Sequence, residues 1–150
     1  MNIEMPSRRP RFEGWLLLGA AVLIVVGSSL PWAKATVVIL GTFTQSGFQG
    51  GDGWVAIGIA APLAYMGIRA VGAPQPLGVG VFALVLAVAL TAFVAYETAD
   101  VSNKLSNVNA VTLGLARARV GEGLWVMYAA AAFAVIGSAG IIVNRRPAPS

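Results

Sequence analysis

Four uncharged and largely apolar runs divide the chain, at residues 14–33, 53–68, 77–96 and 123–144. A helix crosses the hydrocarbon core of a bilayer with about 20 mostly apolar residues. Each run therefore predicts a transmembrane span. The second reaches full length if Arg69 snorkels to the headgroups and extends the helix to residue 71. The expected fold is an all-α membrane protein, a single domain over residues 1–150 with spans at 14–33, 53–71, 77–96 and 123–144. Loops 34–52 and 97–122 then lie on one side and both termini on the other. Trp15, Trp32, Trp54 and Trp125 each sit near a span end, where an amphipathic ring lies at the water interface.

The loops carry a different period. Residues 36–40, Gly41 and the alternating residues 42–46 read as strand, turn and strand, and residues 115–120 alternate with period two and offer a third strand. A small β-hairpin or β-sheet cap on the bundle is expected. Residues 100–109 are polar and read as irregular, with at most a helical turn. Within the spans, small residues recur every fourth position, at Ala56, Ala60 and Ala64, at Ala83, Ala87, Thr91 and Ala95, and at Ala130, Ala134 and Ser138. Such seams let helix backbones approach closely in lipid, so a left-handed bundle is expected. Pro62 interrupts the second span and predicts a kink there. Gly51-Asp52-Gly53-Trp54 and Gly121-Glu122-Gly123-Leu124-Trp125 open the second and fourth spans alike. They read either as parallel repeats about an axis along the membrane normal or as chance among glycine-rich segments.

Composition strengthens the membrane assignment. Hydrophobic residues make up 57% and charged residues 11%, against roughly a quarter charged in soluble domains, and the mean hydropathy is +0.78. Charge placement gives an orientation. Arg8, Arg9, Arg11, Arg69, Arg145 and Arg146 fall on the side of the termini, with Glu4 and Glu13; Lys34, Lys104, Arg117 and Arg119 fall on the loop side, with Asp52, Glu97, Asp100 and Glu122. The entire formal charge of +4 thus belongs to the termini side, which the positive-inside rule makes cytoplasmic. The expected location is a bacterial plasma (inner) membrane. The partner of the basic residues is the lipid bilayer rather than nucleic acid. Ala33-Lys34-Ala35 resembles a signal-peptide cleavage motif and Ser7-Arg8-Arg9 a twin-arginine signal. The long apolar run and the off-register Phe12 favour a retained first span instead.

Zero Cys and zero His remove the usual ligands of zinc, haem, copper and iron-sulfur clusters, and the usual nucleophile–base pairs. Asp52, Glu97, Asp100 and Glu122 are the one cluster with chemical potential. They either converge on a cation such as Ca²⁺ or, as we favour, cap helix N-termini (Asp52, Glu122) and pair with Arg117, Arg119 or Lys104. Between the charged boundaries no span carries Asp, Glu, Lys, Arg or His, the residues that mark proton relays and ion paths. Ser28, Ser29, Thr91 and Ser138 are expected to hydrogen-bond between helices or to the i−4 carbonyl. An apolar pocket among Phe82, Phe93, Phe133 and Tyr128 is the alternative to simple packing for those side chains.

Leu30-Pro31-Trp32, followed by a loop with scattered glycines and by Gly50-Gly51-Asp52-Gly53-Trp54, resembles small four-span bacterial membrane proteins of actinobacterial type. That resemblance covers most of the chain and implies architecture without a catalytic assignment. Gly123-Leu124-Trp125 with a strand-forming first loop is also similar to claudin-like four-span proteins. The paired loop cysteines of claudins are absent here, and their Gly-Leu-Trp lies in the first loop rather than at the last span.

The expected function is a non-enzymatic membrane scaffold or accessory subunit, without a cofactor, that docks to a membrane-protein partner in a larger complex or forms a homo-oligomer. The alternative is a carrier or pore for a lipid, quinone or other apolar molecule, using a cleft beside Pro62. An enzyme would need Asp52, Glu97, Asp100 and Glu122 to converge without His or Cys.

Overall fold

A computed structural model describes residues 11–37, 41–112 and 116–144. Predicted strand residues 38–40 and 115, and the terminal segments with Glu4, Arg8, Arg9, Arg145 and Arg146, lie outside the described residues. The chain runs α1 (Phe12–Ser29), β1 (Pro31–Val37), β2 (Gly41–Ser46), the single turn α2 (Gly47–Gly50), α3 (Gly53–Gly72), α4 (Leu77–Val111), β3 (Ala116–Val120) and α5 (Glu122–Val143). Helices α1, α3, α4 and α5 are long and apolar enough to cross a membrane.

Two boundaries differ from the sequence expectation. The first helix ends at Ser29, not at residue 33, because Leu30 precedes a proline and is held extended at φ −78° and ψ 160°. Pro31, Trp32 and Ala33 consequently open β1. The helix of the third span, α4, runs on past Tyr96 to Val111, 35 residues in all, or about 52 Å against a hydrocarbon core of about 30 Å. Residues 100–109 are therefore helical rather than irregular. Val101, Leu105 and Val108 recur at helical spacing along this extension, and Val101 packs against the buried core.

Both loops contribute to one antiparallel sheet in the order β2-β1-β3. Thr36 stands opposite Thr42 on one side and Arg117 on the other. The open edge of β3 is covered by α4, where the Asn109 side chain imitates a strand: its amide donates to Ala118 O at 3.1 Å and its carbonyl accepts from Ala118 N at 2.8 Å. The sheet thus sits at the end of the bundle where α1 finishes and α3 and α5 begin.

Helix α1 is packed along both α3 and α5, and α4 lies along α5, whereas α3 and α4 meet in few places. A twofold exchange of the two halves would make α1–α5 and α3–α4 equivalent contacts. They are not, so the packing does not follow the repeat suggested by the glycine–acid–glycine openings. The core stripe runs through Leu17, Ala20, Ile24, Ala56, Ala60, Leu63, Ala83, Ala87, Leu90, Leu124, Met127, Ala130 and Ala134. Ser138 joins it, but Ala64 is only half-buried and Thr91 and Ala95 are exposed. A strict fourth-residue spacing overshoots a 3.6-residue turn, so α4 continues inward with Leu90 and Val94 instead.

Candidate functional site

The sheet end of the bundle is organised by Trp32. With the first helix stopping early, this indole enters a strand and turns inward, leaving it 4% exposed while Trp15, Trp54 and Trp125 are 56%, 66% and 67% exposed. Three tryptophans thus suit a membrane interface and the fourth does not. Its Nε1 donates to Gly27 O at 2.9 Å, and its ring meets Phe93 edge-on with centroids 6.3 Å apart. The neighbouring backbones come very close. A Cβ on Gly123 would stand 2.7 Å from the Trp32 ring and 2.7 Å from Gly27 O, and one on Gly47 would stand 2.4 Å from the same ring. The glycine of the α5 opening is thereby explained by close approach rather than by a turn.

Between β2 and α3 the chain turns through α2, closed by a capping box in which Ser46 Oγ accepts from Gln49 N and Gln49 Oε1 accepts from Ser46 N. Gly51 ends the turn at φ 93°, a left-handed conformation costly for any residue with a Cβ. This delivers Asp52 to the N-cap position of α3. Its side chain makes no capping hydrogen bond, in contrast to the expectation. Glu122 is likewise not an N-cap: Gly121 holds that position, and Glu122 is the first residue of α5. Its carboxylate accepts from Lys34 Nζ at 2.6 Å. The pairing residue was thus Lys34 of β1, hidden in sequence because 88 positions separate the two.

The structure brings Asp52, Glu97 and Asp100 to one cavity of about 160 Å³ beneath the sheet, also lined by Trp32, Val101 and Lys104, and leaves Glu122 elsewhere. Asp100 pairs with Lys104 at 2.5 Å, one helical turn on. Glu97, one residue past the apolar run that ends at Tyr96, is only 6% exposed. Among the described residues no hydrogen bond or ion pair reaches its carboxylate. Burial first, then the carboxylates of Asp52 and Asp100, push Glu97 above the usual carboxylate range, while Lys104 acts in the opposite direction. No group of three or more acidic residues among those described is arranged to hold a metal ion, and Glu122 stands apart from the other three acids.

Of the polar residues at depth, Ser29, Thr91 and Ser138 each donate to the carbonyl four residues back. Ser28 Oγ is buried with no hydrogen-bond partner among the described residues. Phe82 is 54% and Phe133 40% exposed, so these rings do not enclose an apolar pocket with Phe93 and Tyr128. No family model and no curated protein matches the chain.

Proposed function

We propose that this chain is a non-enzymatic accessory or scaffold subunit of a bacterial plasma membrane, with its termini cytoplasmic and its sheet facing outward. In that role it docks through the sheet to another membrane protein or to a second copy of itself. The observation that carries the reading is the cap: both loops are joined in one sheet, and that sheet ends in β2. From Gly41 to Gln45 this strand is exposed, including Phe43 at 58%. An edge strand with free backbone groups is a ready template for a further strand, and an aromatic side chain beside it supplies an anchor. The bundle interior supports the same reading, since it is filled by Leu17, Ile24, Leu63, Leu90, Leu124 and Met127. The orientation rests on the concentration of arginines on the side of the termini.

The test is photo-crosslinking in native membranes, with p-benzoylphenylalanine in place of Phe43 and, as a control, of Phe82 on the exposed face of α4. Docking predicts a protein adduct of discrete mass from position 43 and lipid adducts from position 82. Lipid-only products from both positions would remove the docking role of β2.

The second reading, a carrier of a lipid or other apolar molecule, is favoured by the sparse packing of α3 against α4. In this reading an acyl chain would enter along that seam, and Pro62 interrupts the hydrogen-bond ladder of α3. A specific lipid or quinone that survives purification on an isolated chain supports this reading over docking.

A further inference from the structure

The cavity beneath the sheet combines features that packing alone does not call for. Glu97, a residue only 6% exposed, lines it, and its carboxylate has no hydrogen-bonding or ion-pairing partner among the described residues. A carboxylate in so enclosed a place favours an opposite charge brought to it. Asp52, at the mouth, is exposed and caps nothing. Lys104 is held by Asp100 at the rim. The site thus presents three carboxylates and one ammonium group. Beside the acids stand an indole, Trp32, and the apolar side chains of Val101 and Leu105.

We propose that this cavity is a binding site for a small organic cation, an alkylammonium or guanidinium group. Glu97 is its counter-ion, Asp52 is a second acceptor, and Trp32, Val101 and Leu105 form the wall for the apolar stem. A charged head on a methylene stem needs both surfaces at once, and an indole adds attraction for the head. A bare divalent ion is a poorer fit, because it requires several oxygen ligands converging on one point and the acids are not so arranged. The cavity of about 160 Å³ is smaller than the roughly 300–1,000 Å³ of sites for drug-sized molecules. It therefore admits a head and short stem, not a whole metabolite. The proposal goes beyond the docking reading and stands independently of it, since it needs only the cavity.

The full chain in detergent supplies the test. With Trp15→Phe, Trp54→Phe and Trp125→Phe, Trp32 is the sole indole and reports directly from the cavity wall. Titration with n-butylguanidinium or n-butylammonium chloride, against sodium chloride at equal ionic strength, is expected to change Trp32 emission saturably. Glu97→Gln should weaken the response at least tenfold, and Asp52→Asn should weaken it severalfold. Asp52 makes no cap bond, so this second variant keeps the test decisive if Glu97→Gln does not fold. A response identical to that of sodium chloride, or one undiminished in the folded variants, overturns the proposal. Replacing the probe with a Gly-Arg-Gly amide distinguishes the source of the cation. Tighter binding than n-butylguanidinium assigns the site to a basic side chain of a protein, and weaker binding assigns it to a free amine; either result requires the site.

Discussion

Trp32 shows how a single residue's role depends on where its helix stops. Its composition and position matched those of the other three tryptophans, and nothing in the run 14–33 distinguishes it except Pro31. A residue before proline avoids helical dihedrals, and at Leu30 this ends the helix and starts a strand. As the buried contact among α1, β1 and α5, Trp32 is expected to dominate the stability of the sheet end. Trp32→Ala should cost about 3–5 kcal/mol, and Trp54→Ala much less because that ring is 66% exposed. Thermal unfolding followed by circular dichroism in detergent checks this, with roughly 2–4 °C expected per kcal/mol for a chain of this size. Equal midpoints for the two variants would show that Trp32 does not hold the cap. The acids were legible as residues, and Lys104 as the partner of Asp100 one helical turn away, but the burial of Glu97 and the approach of Lys34 to Glu122 arise only from the tertiary fold.

Among the helices, element existence was written clearly in the apolar runs, and all four predicted helices are present. Their extents and faces were less legible. Ser102, Asn103, Ser106, Asn107 and Asn109 are weak helix formers, yet they occupy the extension of α4. The recurrence of Val101, Leu105 and Val108 was the helical signal within that polar stretch. The small-residue seams identified the correct faces of α3 and α5 near their centres but drifted off the face of α4 at Thr91. This predicts opposite outcomes for two similar substitutions. Ala87, with no exposed surface, should tolerate leucine poorly, with overpacking costing about 1–3 kcal/mol. Exposed Thr91 should accept leucine with little change. Unfolding midpoints of Ala87→Leu and Thr91→Leu that fall in the reverse order would contradict the assigned faces. Because Ala60 and Ala87 are buried within one chain, these seams hold the bundle together and do not require a second copy.

At the scale of the whole molecule, hairpin and third strand were each readable from alternation, whereas their union in one sheet was not. Joining them requires residues about 80 positions apart to pair, which no local pattern encodes. The union is directly testable in a chain that lacks cysteine. Thr36→Cys with Arg117→Cys places two thiols at facing positions on adjacent strands, within the span a disulfide bridges. In cells the pair should oxidise without added reagent, as expected of an outward sheet in an oxidising compartment. Thr42→Cys with Arg117→Cys, on strands separated by β1, should remain reduced. No disulfide in the first pair would contradict either the sheet or its orientation, and added oxidant separates the two: bridging then appears only if the sheet is right.

The proposed docking role makes a definite prediction about what leaves the membrane with this chain. Extraction from the native membrane in mild detergent, followed by native mass spectrometry with identification of every component, tests it most directly. Docking through β2 predicts one particle containing this chain with a protein partner or a second copy in fixed stoichiometry, and loss of that partner when Phe43 is replaced by aspartate. A lone chain that carries only a lipid or quinone would contradict the docking role and support the carrier.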